Sequence, residues 1–515
     1  MRAVPLHLLL SVLLFSPAAI AVAGCPSSSV FLDGNGNGRR DAREHGVPGV
    51  RVANGKRITS TDARGRFVID VEPGQPVFVI KPAGFDAARR ADGLPDTWSE
   101  SGCRDFPLIR HRGSRRNDLD VLVFGDPQPK SLRDVGYYER DIVAPLRGRH
   151  AARLGISLGD LVNDDLSLYP ALKAVDASLG IPWLHAPGNH DLNFDSPTDE
   201  GSLHGFRQAF GPDTYAWEET RANFIVLDDV IFRPGQSPAY IGGLLERQFQ
   251  FLQAYLAGAA KDRLLVLSLH IPLFDIPVGS ETFRHADRER LFALLQPFPR
   301  LLILSAHSHN QQHFLHGPAT GWHGREPLHE YNVGAACGAY WSGAPDAAGI
   351  PASTMSDGTP NGYATLRVGA NSQELRWHVA RAADDYQIAL HAPQVLRSGA
   401  YPAYGVYANV FMGQDDTPVE FRIDGGPWKP MRRVLQPDPG LLVENALDDL
   451  APALRGIDRS PEASPSAHLW RGALATDLGP GEHAVEVRAN IEGFGWAQAR
   501  VRYRLDLGSG NDFGK

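Results

Sequence analysis

The chain has 515 residues, 43% of them hydrophobic and 21% charged, and a formal net charge of −8. That composition excludes wholesale disorder, and the negative balance leaves no electrostatic footprint for nucleic acid. At about 150 residues per domain the length points to roughly three domains, and 53 Gly with 39 Pro suit β-rich units and long loops.

The only long apolar run, Leu6 to Ala23 after Arg2, has the basic start and apolar middle of a secretory signal over residues 1–24. Two processing routes stay open. Ala21-Val22-Ala23 suits plain cleavage, which frees Cys25 to pair with Cys103, whereas Val22-Ala23-Gly24-Cys25 suits lipoprotein processing, with Cys25 as a membrane tether. Either route places the mature protein outside the cytoplasm, in the periplasm or cell envelope. Cys25, Cys103 and Cys337 are too few for a disulfide scaffold.

Residues 25–112 read as a small β-sandwich. Val50–Val52, Arg57–Thr59, Phe67–Val71 and Val77–Ile80 are strand-like and separated by Gly-containing turns. Before them, Asp33, Asn35, Asn37, Asp41 and Glu44 fall at positions 1, 3, 5, 9 and 12 of a loop with Gly38 at 6. Arg39 at position 7 offers its carbonyl. This is the calcium-loop pattern, without a preceding helix, and it resembles the calcium loop of B-type repeats in bacterial surface adhesins. A bound calcium would be structural.

From 118 to 380 strands alternate with helices. Leu132–Leu146 and Leu244–Leu256 carry helical periodicity; Phe224–Asp228, Leu264–Leu269 and Leu301–Leu304 read as buried strands. Residues 387–507 return to strands, at Tyr404–Phe411, Val419–Ile423, Ala484–Arg488 and Ala499–Leu505, and suggest a second sandwich interrupted by a long insertion from Leu435 to Pro465. The fold class is α/β between two all-β sandwiches.

Chemistry concentrates in the central part. Gly-Asp126-Pro-Gln128, Gly-Asp160-Leu-Val-Asn-Asp164 and Gly-Asn189-His190-Asp191 each close an apolar strand, and two later strands deliver His270, then His307 and His309. Hydrolysing a phosphate ester needs a nucleophile at neutral pH and neutralisation of phosphoryl charge, which two divalent ions about 3.5–4 Å apart supply together. Holding them needs an anionic bridge plus carboxylate, amide and imidazole donors. Alone, each such residue is more often a turn former or a structural histidine. Their joint order at successive strand ends is not readily obtained by chance.

The order Asp-x-Gln, Gly-Asp, Gly-Asn-His-Asp, His and His-x-His resembles the calcineurin-like metallophosphoesterases over 118–380. The flanks resemble the dedicated N- and C-terminal domains of one bacterial branch. The resemblance implies two β-sheets sandwiched between helices. Asp126, Gln128, Asp160 and His309 would hold the first metal; Asp160 would bridge, and Asn189, His270 and His307 would complete the second. His190 would stand near the leaving-group oxygen, with Asp191 orienting it. Gln128 replaces the usual His, and this neutral, harder donor favours Mn, Mg or Fe(II) over Zn at the first site. The Gly-Asp motif lacks the Arg of protein phosphatases, which mildly favours diesters over monoesters; Arg207, Arg284 and Arg325 are candidates to supply that charge. Other histidines (His185, His204, His313, His316, His323, His329) read as structural, the last five in helices or loops. The expected substrate is a small-molecule or envelope phosphate ester. The rival reading is an envelope- or glycan-binding surface protein on a non-catalytic phosphoesterase scaffold.

Overall fold

The computed structural model describes residues 28–71, 74–100, 102, 104–113 and 118–508. The apolar leader, Cys25 and Cys103, and with them the export and cysteine expectations, lie outside these residues. Among the described residues no helix is long and apolar enough to cross a membrane.

The N-terminal region packs a three-stranded sheet (Val30–Leu32, Phe106–Arg110, Phe85–Ala87) on a four-stranded one (Ile58–Ser60, Arg51–Ala53, Val77–Val79, Trp98–Ser99). Phe67–Val71, expected as a strand, forms no ladder among the described residues. Phe67 and Ile69 point into the small core and Val68 is 65% exposed, yet backbone pairing is confined to contacts such as Phe67 N–H to the Ser28 carbonyl. The period-two burial is real; beside it, Arg66 pairs with Ser29 in an isolated bridge.

The central region holds two sheets. One takes its strands in the order β3-β2-β1-β10-β11, where β1 is Leu119–Phe124, β2 Leu154–Leu158, β3 Trp183–Ala186, β10 Gly362–Val368 and β11 Gln373–Val379. The other runs β4-β5-β6-β7-β9-β8, with β4 Tyr215–Glu218, β5 Ala222–Val226, β6 Leu264–Ser268, β7 Leu301–Ser305, β8 Gln312–His316 and β9 Leu328–Asn332. Strands β1 to β3 are mutually parallel, as are β5, β6, β7 and β9. Their near-continuous apolar runs follow from burial on both faces, and Val123, Ile156, Phe224, Val266 and Ile303 share one core. The architecture is thus a two-sheet αββα sandwich with β-rich flanks.

Helices cover it. Leu132–Tyr138 (α1) starts at Ser131, whose hydroxyl caps the Asp134 N–H, and continues through a π turn and a 3-10 turn to Leu146. Tyr169–Ala177, His204–Phe210, Glu246–Ala257 and His285–Leu295 complete the central set. In the C-terminal region a four-stranded sheet (Ile388–His391, Gly405–Val410, Leu469–Ala473, Arg432–Arg433) faces a five-stranded one (Val395–Arg397, Gly495–Asp506, Gly481–Ile491, Val419–Ile423, Lys429–Pro430). The insertion is not all loop: Pro439–Leu450 is a helix with Pro at its first turn, capped by Asp438 accepting from Leu441 N–H at 3.0 Å.

Candidate metal centre

The loops after β1, β2, β3, β6 and β7 carry the seven sequence-nominated ligands, all at the carboxyl ends of parallel strands, where open α/β sheets build their sites. A tight turn there must bring side chains back over the strand ends. Asp126, Gln128, Asp160, His307 and His309 accordingly adopt positive φ, between 39° and 69°. Such backbones cost about 1–3 kcal/mol each in non-glycine residues and persist where surrounding contacts over-determine them.

Those contacts are specific. The His307 N–H donates to both Asp126 carboxylate oxygens at 3.2 Å, and the His190 N–H donates to Asp160 Oδ1 at 2.8 Å. His270 Nδ1 donates to the Leu158 carbonyl at 2.8 Å, which turns Nε2 inward, 3.3 Å from Asp160 Oδ1 and 3.1 Å from Asn189 Oδ1. His307 Nδ1 lies 3.1 Å from that same Nε2. His309 Nδ1 donates to the Gly338 carbonyl at 2.7 Å, leaving Nε2 buried, without a hydrogen-bond partner and 3.7 Å from Asp126 Oδ1. Backbone carbonyls thus fix two imidazole tautomers so that their lone pairs face the carboxylates, as metal-ligating histidines require. Asp229, which sequence reasoning missed, accepts from the His270 and Ile271 N–H groups and holds that loop.

The electrostatics agree. Burial, joined by the charge of Asp160, pushes the Asp126 carboxyl up to about 8. For Asp160 burial is overcome by the charge and hydrogen bond of His270, and its carboxyl stays well below the usual range. Burial also lowers His307 to about 3 and His309 to about 4, so both are neutral donors. Burial would lower His270, but the charge and hydrogen bond of Asp160 and the charge of Asp126 raise it to about 10, so its proton supplies positive charge that a divalent cation would replace. The ligand atoms of Asp160, His270 and His307 lie within 4.8 Å of one another, the single such group of three among the described residues. Oxygen and neutral nitrogen donors converging around an orphaned His309 Nε2 fit a pair of divalent cations. Gln128 is buried with its Nε2 3.3 Å from Asp160 Oδ2 and its Oε1 3.9 Å from the free, buried Cys337 Sγ; a half-turn of the amide presents the oxygen inward.

His190 stands at the mouth, its side chain 27% exposed. Its partner is Asp164, with Nδ1 2.7 Å from Oδ1. Asp191 does not touch the imidazole. It is fully buried and accepts from Gly188 N–H at 2.8 Å, Leu161 N–H at 3.1 Å and the Tyr169 hydroxyl at 3.0 Å, stapling the Asp160 loop to the Asn189 loop. Two tyrosines missed from sequence frame the centre: Tyr340 stacks on His309 at 4.5 Å, and Tyr240 meets His307 edge-on at 5.9 Å.

None of the three nominated arginines has a free guanidinium at the cluster. Arg207 pairs with Asp213 at 2.6 Å, Arg284 with Asp287 at 2.5 Å, and Arg325 is 96% exposed beside Glu326. His313, His316 and His329 lie on strands, contrary to the expectation of helix or loop, and His316 is buried against Glu330 at 2.6 Å. In the N-terminal loop Asp33 accepts from Gly36 and Gly38 N–H groups, Glu44 from Gly34 and Asp41, Asn37 Oδ1 from Arg39, and Asp41 from the amides of Asn35 and Asn37.

Three family models match the chain: N terminal of Calcineurin-like phosphoesterase over residues 34–105, Calcineurin-like phosphoesterase over 119–311, and C terminal of Calcineurin-like phosphoesterase over 330–495. Among solved structures the chain is similar to a dimetal phosphatase from Danio rerio, at 15% identity over 50% of this chain and 95% of that one, with a TM-score of 0.34. It is similar also to purple acid phosphatase PPD1 from yellow lupin (Lupinus luteus) seeds, at 14% identity over 65% and 68%, with a TM-score of 0.37. No curated protein matches it.

Proposed function

Because the chain belongs to the calcineurin-like phosphoesterases, a family of dinuclear metal-dependent hydrolases, we propose that it is an exported enzyme that cleaves phosphodiesters in preference to monoesters. The observation that carries the reading is the convergence of the Asp126, Gln128, Asp160, Asn189, His270, His307 and His309 loops from the strand ends of both central sheets, with an accessible His190 at the mouth. When bound, two divalent cations would supply charge to the phosphoryl oxygens and a nucleophile from water at neutral pH. Asp126, Gln128, Asp160 and His309 would hold one, and Asp160, Asn189, His270 and His307 the other.

The chain's own groups do the rest. Asp160 keeps its negative charge despite burial, as a bridging anion must. When His190 is protonated, Nδ1–H donates to the Asp164 carboxylate and the proton on Nε2 is the one that can pass to the departing alcohol oxygen, leaving the neutral ring. The diester preference is supported by Asp164, which stands in the motif that carries Arg in protein phosphatases, and by the engagement of Arg207, Arg284 and Arg325 elsewhere. A phosphomonoester dianion would lack its bidentate partner. Gln128 supports Mn, Mg or Fe(II) over Zn at its site.

Export rests on the Leu6–Ala23 run, with residence in the periplasm or cell envelope, soluble or tethered through Cys25. The substrate would then be a small-molecule or envelope phosphate ester. A structural calcium ion in the Asp33–Glu44 loop is supported by its oxygen spacing. The test of the catalytic reading is the Mn(II)-loaded protein on bis-p-nitrophenyl phosphate and p-nitrophenyl phosphate, with metal content measured in wild type and Asp160→Asn. Faster diester cleavage and metal loss in the variant are expected. Inertness toward both esters together with unchanged metal content in the variant would sink it.

A further inference from the structure

One cation at the mouth is uncommitted. Lys130 is exposed, and among the described residues no carboxylate lies within 4 Å of its ammonium. Its Nζ rests 5.1 Å from the centroid of the Tyr340 ring, and that ring stacks on the ligand imidazole of His309 at 4.5 Å. The ammonium is therefore two ring contacts from the metal centre.

The ring is held there at a conformational cost. Tyr340 and Trp341 are consecutive non-glycine residues at φ 59° and 57°, and the Trp341 indole N–H donates to the Pro127 carbonyl at 3.0 Å. This bond ties the tyrosine loop to the stretch Asp126–Lys130. A backbone strained in this way persists only where the surrounding contacts over-determine it.

The side of the centre on which Lys130 lies is given by its neighbours. The Pro129 carbonyl accepts from Asn163 N–H at 3.0 Å, and the next residue, Asp164, holds His190. Lys130, Ser131, Arg133, Asp165 and Ser167 line a shallow trough beside that pair. Within it Arg133 faces Asp134 at 3.5 Å, and the Asp165 carboxylate caps the N–H and hydroxyl of Ser167. The charge of Lys130 is the one left over. An ester whose phosphoryl group occupies the metal centre and whose alcohol leaves toward His190 would extend its leaving group into this trough.

We propose that Lys130, set over Tyr340, is a specificity-determining residue that recognises a second anionic group, phosphate or carboxylate, on the leaving group of the substrate. The inference rests on the phosphoesterase reading above. It accounts for a lysine and a strained tyrosine which that reading leaves unused.

The test is calorimetric binding of three non-hydrolysable ligands to the Mn(II)-loaded full chain: phenylphosphonate, 4-carboxyphenylphosphonate and 1,4-phenylenediphosphonate. Wild type should bind one or both para-anionic ligands about five-fold more tightly than phenylphosphonate, which is the upper range for a solvent-exposed charge contact. The arm with the larger gain distinguishes carboxylate from phosphate. Lys130→Ala should abolish the preference while leaving phenylphosphonate affinity unchanged, Lys130→Arg should retain most of it, and added salt should erode it in wild type. A flat series in wild type, or an equal loss for all three ligands in Lys130→Ala, overturns the proposal while the phosphoesterase reading stands. A metal-loaded wild type that binds none of the phosphonates overturns the proposal, while the phosphoesterase reading is judged by the chromogenic ester assay above.

Discussion

At the scale of single residues, the site is built from backbone that most sequences avoid. Among described non-glycine residues with positive φ, Asp126, Gln128, Asp160, His307 and His309 are nominated ligands, and Asp164 and Tyr340 border them. The residue types were legible, because acids, amides and imidazoles after apolar runs have few other joint uses. Their hydrogen-bond partners were not. Asp191 follows His190 in sequence, yet the turn sends its carboxylate inward to Gly188 and Leu161, and Asp164 reaches the imidazole from another loop. Adjacency in sequence does not fix direction in a tight turn. It follows that Asp164→Ala should lower kcat by about 100-fold, because the imidazole loses the acceptor that sets its tautomer and orientation. KM and metal content should hold, since Asp164 is not a ligand. Steady-state kinetics beside metal analysis checks this, and a fall in bound metal that matched the fall in rate would assign Asp164 to the metal shell instead.

At the scale of elements, strands β1, β2, β3, β6 and β7 act as fixed posts and the loops at their ends as the instrument. Two glycines show how tightly the loops are set. A Cβ on Gly188 would fall 2.2 Å from Asp160 N and 2.3 Å from Asp160 Oδ1, and one on Gly159, at φ 93°, would fall 2.5 Å from His270 Nδ1. Neither backbone nor the Asp160 carboxylate can yield that far without moving the nominated ligands. Gly188→Ala should therefore abolish activity and reduce bound metal while the far-UV spectrum and the two sandwiches persist. Metal-to-protein ratio and circular dichroism on the same sample decide the matter, and full metal occupancy in the variant would contradict this account of the turn. The same scale shows where pattern reading stopped short. Alternation at Phe67–Val71 reported burial correctly but could not report that the segment forms no ladder among the described residues. The Pro439–Leu450 helix announced itself through Asp438-Pro439 yet was overlooked, because the turn formers around it dominate the composition.

At the scale of the whole molecule, the flanks are joined to the catalytic region through buried polar contacts as well as apolar ones. Lys81, fully buried, reaches Glu219 at 2.5 Å from the N-terminal side. On the C-terminal side Asp357 is the hub. Its carboxylate accepts from Gln311 N–H at 2.8 Å and lies 3.2 Å from His468 Nε2, while Asn409 donates to its carbonyl and accepts from His468. Gln311 lies two residues beyond His309, a nominated ligand, so this junction anchors the chain that leaves that loop. Burial alone would raise the Asp357 carboxyl, but the hydrogen bond and charge of His468 and the N–H groups of Thr359 and Gln311 hold it below its ordinary 3.8. The sign follows from linkage. A carboxyl with a depressed folded pKa contributes stability that is complete above the unfolded value and is lost as pH falls through the folded one. Asp357→Asn should thus lower stability at pH 7 by about 3 kcal/mol, the cost of breaking a buried charged hub. The gap between variant and wild type should narrow only below pH 3.8. Thermal melts of both proteins from pH 3 to pH 7, followed by tryptophan emission, measure it. A gap that stayed constant across that range would mean that the junction is held by packing, with the Asp357 charge a bystander.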